Sequence, residues 1–162
     1  MIQKANMTQL PRILEIYEKA RDFMARSGNP DQWGRAYPPE EMIRQDILDG
    51  KSYVNLDGDR ICAVFYFAVE ADPTYGYIEG TWCNDEPYGV IHRIAVDGSG
   101  KGVAAECFAF AAQHCDNIRI DTHEKNIPMQ RCLAKNGFAR CGIIYLEDGD
   151  PRIAYQKVIK NG

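Results

Sequence analysis

The spacing of apolar residues divides the chain into predicted helices and strands. Apolar residues at helical spacing predict a first helix from about Gln9 to Arg26, with Thr8 as its N-cap. A second helix is predicted to begin at Pro39 and to stop at Gly50. Other patterned runs predict strands over residues 2–5, 53–56, 61–69, 90–96, 118–121, 138–146 and 152–158, and helices over 103–115 and 128–136.

The order of these elements is β-α-α-β-β-β-α-β-α-β-β, which predicts a mixed central sheet with helices packed on it. The sheet is expected to be mostly antiparallel at its start and end, where strands follow each other through short turns such as Asp57-Gly58-Asp59. Residues 70–88 show neither the helical nor the strand spacing of apolar residues, and they are rich in Gly, Pro, Asp and aromatics. They are predicted to form a strand edge and a loop that serves a site.

Length and charge narrow the function classes. The 162 residues, of which 45% are hydrophobic, suit one domain spanning 1–162 with a sizeable core. No apolar run reaches the roughly 18 residues of a membrane span, and no signal-peptide core precedes the first element, so no membrane partner is expected. The net charge of −4 argues against general nucleic-acid binding, which relies on a basic surface.

The six cysteines form no C-x-x-C pair, which argues against a structural zinc site, and no metal is expected. Most of them lie inside apolar runs, which indicates free thiols in a reducing compartment and hence a cytoplasmic protein. The alternative is a disulfide framework, which a chain of this size and apolar content does not need.

The most informative segment is the loop that follows the strand over 90–96. It carries three alternating glycines, Gly98, Gly100 and Gly102, and a predicted helix begins directly after it. Glycine lets the backbone approach a ligand, and the unpaired amides and dipole of a helix N-terminus favour an anion. The expected donors are the amides of residues 100–104, and Lys101 would add a mobile positive charge.

Two interpretations of this loop stay open on its residues alone, an anion cradle and a plain turn that starts a helix. The loop does not match the nucleotide P-loop G-x-x-x-x-G-K-[ST]. It does not match the dinucleotide fingerprint G-x-G-x-x-G either, because its glycines alternate.

A second motif, Asn126-Ile127-Pro128-Met129-Gln130-Arg131-Cys132-Leu133-Ala134-Lys135-Asn136-Gly137-Phe138, follows the strand over 118–121. It resembles the N-x-x-A-x-x-x-Y-x-K-x-G-F signature of the GNAT superfamily, the acyl-CoA-dependent N-acetyltransferases. Ser99-Gly100-Lys101-Gly102-Val103-Ala104 resembles the acetyl-CoA motif [RQ]-x-x-G-x-[GA] of that superfamily. The resemblance covers nearly the whole chain and implies an α+β fold (α/β three-layer) with a mixed, mostly antiparallel central sheet and about four helices.

The resemblance implies a transferase that moves an acetyl group from acetyl-CoA to a primary amine of a small molecule or a peptide. Backbone groups of Ile94 and Val96, with Ala95 between them, would pair with the pantetheine arm, and the Val96 amide would polarise the thioester carbonyl. The resemblance assigns the pyrophosphate to Ser99, Gly100, Lys101, Gly102, Val103 and Ala104, and a pantetheine contact to Asn126. Dimers are common in the superfamily, so a homodimer is compatible with it.

Two departures from the family pattern bear on the chemistry. Ser99 stands where arginine or glutamine is usual, which removes one side-chain contribution at the phosphates. Leu133 stands where many members carry a tyrosine that protonates the leaving CoA thiolate. The usual general acid is therefore missing from this position.

Three residues are candidates for proton chemistry. Asp121 lies five residues before Asn126, where some members that modify protein N-termini carry a glutamate base; the alternative is a strand end that caps the next turn. His123 has an unperturbed pKa suited to a proton shuttle, and the alternative is a solvated loop histidine. Tyr145 is a candidate for the missing acid, and the alternative is a core residue.

The acceptor is predicted to bind at the loops over 28–37, with Trp33, and 75–88, with Trp82, because loop aromatics are enriched at binding sites. His92 is expected on the same strand face as Ile94 and Val96, most simply as a packed histidine. Two other functions stay open. One is a non-catalytic acyl-CoA-binding or sensing module, favoured by Leu133, and the other is an interaction domain whose glycine loop is structural.

Overall fold

The structure is a computed structural model that describes residues 1–159. The helices are α1 (Leu10–Arg26), α2 (Glu40–Leu48), α3 (Val103–Ala112) and α4 (Ile127–Lys135). The strands are β1 (Ile2–Lys4), β2 (Ser52–Asp57), β3 (Arg60–Val69), β4 (Glu79–Gly80), β5 (Gly89–Val96), β6 (Asn117–Thr122), β7 (Ala139–Tyr145) and β8 (Pro151–Val158). Within the described residues, these four helices and mostly antiparallel strands confirm the predicted α+β class.

Contacts divide the chain into two compact units. The first comprises Met1–Phe67 and His92–Cys107, and the second comprises Ala68–Ile91 and the residues from Phe108 onward. Strand β5 contributes residues to both units. The expectation of a single domain over 1–162 stays a prediction.

The first unit is a sheet in the order β1-β2-β3-β5 with α1 and α2 packed on it. β1, β2 and β3 are antiparallel, and β2 and β3 are joined through Gly58 as the sequence predicts. Ile13, Ile16 and Tyr17 of α1 are almost completely buried in the core of this unit. Burying such a side chain contributes roughly 1.5–3 kcal/mol, so the apolar stripe on α1 accounts for its docking.

The start of α1 differs from the prediction. Thr8 lies inside a short 3-10 turn (Met7–Gln9) whose N-cap is Asn6, and α1 follows with Gln9 as its N-cap, which makes no side-chain capping bond. The Asn6 side chain accepts from the Thr8 amide at 3.1 Å, and the Gln9 side chain accepts from the Asn6 amide at 3.0 Å. This reciprocal capping box satisfies amides that a helix start leaves unpaired.

The second unit has the strand order β5-β6-β8-β7-β4. β5 pairs with β6 in parallel, through Gly89 with Ile118 and Val90 with Arg119, whereas β6–β8, β8–β7 and β7–β4 are antiparallel. Phe108 of α3 and Phe138 pack edge to face with ring centroids 5.1 Å apart, and Leu133 of α4 is fully buried.

Strand β4 is a two-residue edge strand held against β7 by an unusually close backbone approach. Gly80 and Gly142 face each other, with φ of 136° and 152°. A Cβ at Gly142 would lie 2.2 Å from the Glu79 carbonyl oxygen. Glycine is therefore required at position 142 for the pairing of β4 with β7, the strands that contain Glu79 and Tyr145.

We predict that Gly142→Ala lowers the free energy of unfolding by about 2–3 kcal/mol, because overpacking against backbone is added to strain. Gly149→Ala is the matched control, since Gly149 also has a positive φ of 86° but has no atom within 4 Å of an added Cβ. Urea denaturation of both variants measures the difference. Equal losses would show that the approach of β4 to β7 is not the cause.

Candidate functional site

The glycine loop joins the end of β5 to the start of α3 within the first unit. Val96 is 39% exposed, and residues 98–102 are exposed as well. Gly98 and Gly102 adopt φ values of 78° and 72°, and an added Cβ at either would have no atom within 4 Å. The loop therefore needs glycine for its backbone shape, and the space beside the Cα atoms of Gly98 and Gly102 is open.

Helix α3 begins at this loop, so its first amides have no partner within the helix. The Glu106 amide donates to the Gly102 carbonyl at 3.1 Å as the first turn of the helix closes. The amides of Val103, Ala104 and Ala105 precede that bond, as expected of a helix N-terminus. With the helix dipole behind them and open space in front, these donors fit an anionic group such as a pyrophosphate.

The carboxylate of Asp97 fixes the shape of the loop. It accepts from the amide and hydroxyl of Ser99, at 2.9 and 2.6 Å, and pairs with Arg12 at 2.8 Å and Arg60 at 2.7 Å. The Asp97 amide donates to the Cys62 carbonyl at 2.9 Å. The Asp97 side chain is 1% exposed, and burial raises its pKa, but the Ser99 hydrogen bonds and Arg60 outweigh this and lower the pKa to about 2. Asp97 is therefore charged at neutral pH.

Arg93 interrupts the regular strand in the middle of β5. Its φ is 50°, in the left-handed region, and its guanidinium forms two 3.0 Å hydrogen bonds with the Asp46 carboxylate. The Tyr17 hydroxyl donates to the Arg93 carbonyl at 2.8 Å. These contacts hold a conformation that costs roughly 1–3 kcal/mol.

The irregularity at Arg93 changes which side chains share a face. The His92 ring lies 5.6 Å from the Tyr66 ring, and the Arg93 guanidinium lies 4.7 Å from the same ring. Two consecutive side chains therefore contact one neighbour, so the strict alternation expected for His92, Ile94 and Val96 does not hold there. His92 is packed and half-buried, as the simpler interpretation predicts.

The aromatic residues of the loop over 28–37 pack within the first unit. Trp33 lies 5.8 Å from Tyr17 and 6.1 Å from Tyr37, measured between ring centroids. The Tyr37 hydroxyl accepts from Arg93 at 3.3 Å. The loop is thereby anchored to the irregular part of β5.

In the second unit, Asp121 lies near the end of β6 and is half-buried. Its Oδ2 accepts a 2.7 Å hydrogen bond from the hydroxyl of Tyr75, which is 2% exposed. Tyr75 comes from the irregular segment over 70–88, and no periodic pattern in the sequence pointed to it. The only signal there is Asp72-Pro73-Thr74, a turn sequence that positions the residue after it.

A cation–aromatic cluster supports this segment. The Arg119 guanidinium lies 4.1 Å from the Trp82 ring and 4.2 Å from the Tyr88 ring, and it donates to the Asn84 carbonyl at 2.8 Å. Its Nε is buried with no hydrogen-bond partner within residues 1–159. The faces of the two rings therefore stabilise the buried positive charge of Arg119 through cation–π interactions. Trp82 is half-buried in this cluster, and its place in an acceptor loop stays a prediction.

His123 and Asn126 both stabilise the turn between β6 and α4. His123 Nδ1 accepts from the Lys125 amide at 3.1 Å, and Asn126 Oδ1 accepts from the Met129 amide at 3.1 Å as the N-cap of α4. Burial lowers the pKa of His123, so its imidazole is neutral at pH 7. The bond at Nδ1 favours a structural role for His123 in the turn, and its role as a proton shuttle stays a prediction.

Leu133 and Tyr145 bear on the missing acid. Leu133 is fully buried in α4 and supplies no proton. Tyr145 is half-exposed at the end of β7, and its ring lies 6.5 Å from that of Tyr77. A hydrogen bond with Glu79 raises the pKa of Tyr145, which makes the phenol a weaker acid than usual. Its role as an acid stays a prediction.

Three further features concern metal binding, membrane spans and disulfides. Within residues 1–159, no group of three or more His, Cys, Asp or Glu side chains is arranged to hold a metal ion. Among the same residues, no helix is both long and apolar enough to span a membrane. The six cysteines are free thiols, and the sulfurs of Cys83 and Cys141 lie 3.9 Å apart.

The chain is similar over almost its whole length to solved acetyltransferase structures. A GNAT-family acetyltransferase from Streptococcus agalactiae shares 31% identity over 99% of this chain and 96% of that chain, with a TM-score of 0.88. A candidate acetyltransferase from Staphylococcus aureus shares 28% identity over 99% of both chains, with a TM-score of 0.72. A chain of the NatC complex bound to Gag peptide and CoA, 14% identical over 99% of this chain and 98% of that chain with a TM-score of 0.64, shares the fold. No protein-family model and no curated protein matches the chain.

We predict that Asp97→Asn lowers the free energy of unfolding at pH 7 by about 2 kcal/mol, because it weakens hydrogen bonds to a buried charge. The folded pKa of Asp97 is below its unfolded value of about 3.9, so its contribution is complete above that value. The difference from wild type should therefore shrink as the pH falls from about 4 towards 2.

Urea denaturation of both proteins at pH 7, 5, 4 and 3 measures this dependence. Glu15→Gln is the control, because Glu15 pairs with Arg12 at an exposed position and contributes little. A loss for Asp97→Asn that is the same at every pH would contradict the proposed role of its charge.

Proposed function

Because the chain belongs to the GNAT family of acetyltransferases, we propose that it moves an acetyl group from acetyl-CoA directly to a primary amine of a small molecule or a peptide. The open amide cradle at the start of α3 is the observation that carries the proposal. It follows β5 in a chain that is 31% identical to a GNAT-family acetyltransferase over nearly its whole length. Acetyl-CoA is the thioester donor, and no metal takes part in the proposed reaction.

On the donor side, the amides of residues 100–104 bind the pyrophosphate. The Ser99 hydroxyl is bonded to Asp97, so Ser99 shapes the loop, and the exposed Lys101 supplies the mobile positive charge. Backbone groups of Ile94 and Val96 pair with the pantetheine arm, and the Val96 amide polarises the thioester carbonyl. Asn126 remains a predicted pantetheine contact.

On the acceptor side, an alkyl amine with a pKa near 10 is mostly protonated at neutral pH and must lose a proton before it attacks. Asp121 is the proposed base. The amine nitrogen forms a bond to the carbonyl carbon, the carbon–sulfur bond breaks, and the electron pair leaves on sulfur. The thiolate can leave without being protonated by the enzyme, because its conjugate thiol has a pKa near 8.5. The buried Leu133 at the usual acid position is therefore compatible with turnover.

Leu133 at the usual acid position also favours a second candidate function. A module that binds or senses acyl-CoA without catalysis needs the amide cradle but has no need of an acid, and Leu133 is consistent with it. Calorimetry with acetyl-CoA, followed by an assay of free-thiol release over a panel of amines and amino-terminal peptides, separates the two. Amine-dependent release supports the transferase, and binding without release supports the sensor. No binding up to about 1 mM, the upper end of usual enzyme affinities, would remove both.

We predict that Gly102→Leu weakens acetyl-CoA binding at least about 10-fold, because its side chain fills the space over the amides. Gly98→Leu is the matched control, since Gly98 has a similar positive φ and equally open surroundings. Both variants carry the same backbone strain, and only Gly102 lies among the proposed donors. Calorimetry measures both, and equal affinities for the two variants would place the phosphates elsewhere.

We predict that Asp121→Asn lowers kcat at pH 7 about 100-fold, because the amide cannot accept the amine proton. Acetyl-CoA affinity should stay within about twofold of wild type, since Asp121 takes no part in the proposed donor site. Asp59→Asn, a change of the same type at an exposed turn, should leave kcat unaltered. An unchanged pH–rate profile in Asp121→Asn would rule out this carboxylate as the base.

A further inference from the structure

Tyr75 occupies a rigid position in the otherwise irregular segment over 70–88. It ends a short 3-10 turn (Pro73–Tyr75) that is capped by Asp72, whose side chain accepts from the Thr74 amide at 2.8 Å and the Thr74 hydroxyl at 2.7 Å. The Tyr75 amide donates to the Asp72 carbonyl at 3.0 Å. The Asp72 amide donates to the Tyr88 hydroxyl at 2.8 Å, which connects the turn to the residue directly before β5.

The Tyr75 ring is held by aromatic neighbours. Its centroid lies 5.2 Å from that of Trp82 and 6.1 Å from that of Tyr88, and the Trp82 indole donates to the Tyr75 carbonyl at 3.0 Å. Trp82 and Tyr88 are in turn stacked on Arg119. Arg119 and Asp121 are two residues apart on β6, so they lie on one face of the strand. The strand that carries Asp121 thus also anchors the rings that aim the Tyr75 hydroxyl at it.

We propose that Tyr75 is a positioning residue for Asp121: its hydroxyl donates to one carboxylate oxygen and holds the carboxylate in a fixed plane to receive the proton of the amine. This inference rests on the proposed function, in which Asp121 is the base. A carboxylate can rotate about its Cβ–Cγ bond, and an error of about 1 Å in placement can cost 100-fold in rate. A buried donor at 2.7 Å removes that freedom.

The electrostatic environment supports this arrangement. Burial raises the pKa of Tyr75 well above its ordinary value, and Asp121, Asp72 and Tyr88 act in the same direction. Tyr75 therefore keeps its proton and remains a donor at every pH at which the enzyme would work. The uncharged Ala154 pairs with Asp121 on the neighbouring strand β8. The cation nearest to Asp121 along β6 is Arg119.

Tyr75→Phe tests the inference, because it removes the hydroxyl and keeps the ring against Trp82 and Tyr88. We expect kcat to fall about 10-fold, and the acidic limb of the pH–rate profile to move up by about one unit, since a carboxyl that loses a donor has a higher pKa. Acetyl-CoA affinity should be unchanged. In the Asp121→Asn background the same change should have no further effect on kcat, because the two residues act as one unit.

Tyr155→Phe is the control, since Tyr155 is a buried tyrosine of the same unit that pairs with Ile120 on β6. It should leave the pH–rate profile in place whatever it does to stability. A lower melting temperature for Tyr75→Phe with an unaltered acidic limb would show a structural role only and overturn the inference. Should Tyr75→Phe not fold, wild-type protein made with fluorinated tyrosine, a stronger donor, should shift the acidic limb downward, and an unmoved limb would overturn the inference.

Different results would refute the proposed transferase and the role of Tyr75. If wild-type protein releases no thiol with any amine, the proposed transferase fails before Tyr75 is tested. If wild type is active and Asp121→Asn is inactive while Tyr75→Phe behaves as wild type, only the role of Tyr75 is refuted.

Discussion

A buried carboxylate organises the loop on which the donor site depends. Asp97 receives two hydrogen bonds from Ser99 and two ion pairs, from Arg12 and Arg60. A buried unpaired carboxylate would cost several kcal/mol and would repel a phosphate nearby. The two guanidinium groups offset both effects. The Ser99 contacts turn the chain back towards Val103, where α3 begins. The alternating glycines allow this shape, and Asp97 selects it.

Each unit contains an irregular part that distant contacts stabilise. The first unit holds the amide cradle and the residues of β5 from His92 onward, where an ion pair with Asp46 maintains Arg93 as a left-handed residue. The second holds Asp121 and the aromatic segment that supports it. In both, an arginine stabilises the irregular part: Arg93 stacks on Tyr66, and Arg119 stacks between Trp82 and Tyr88. Planar, permanently charged guanidinium groups suit such positions, because they bind aromatic faces and oxygen acceptors together.

The sequence predicts the regular elements well because burial of one face imposes a period on α1, β3 and β5 that can be counted. It predicts the glycine loop because positive φ selects glycine. It does not predict Arg93 as a left-handed residue, because nothing in the residue type requires that conformation and distant partners enforce it. Tyr75 is missed for the same reason, since its partner Asp121 is 46 residues away. The sequence does not distinguish Thr8 from Asn6 as a cap, because both are good capping residues and they lie two positions apart at the start of one 3-10 turn.

A crystal structure of the protein with CoA bound would show whether the loop before α3 binds the pyrophosphate. We expect pyrophosphate oxygens to accept hydrogen bonds of about 2.7–3.2 Å from amides within residues 100–104, with the pantetheine arm along Ile94 and Val96. We also expect Asp97 to keep its contacts with Ser99 and Arg60. Phosphates bound away from the start of α3, with no contact to that loop, would refute the proposed donor site.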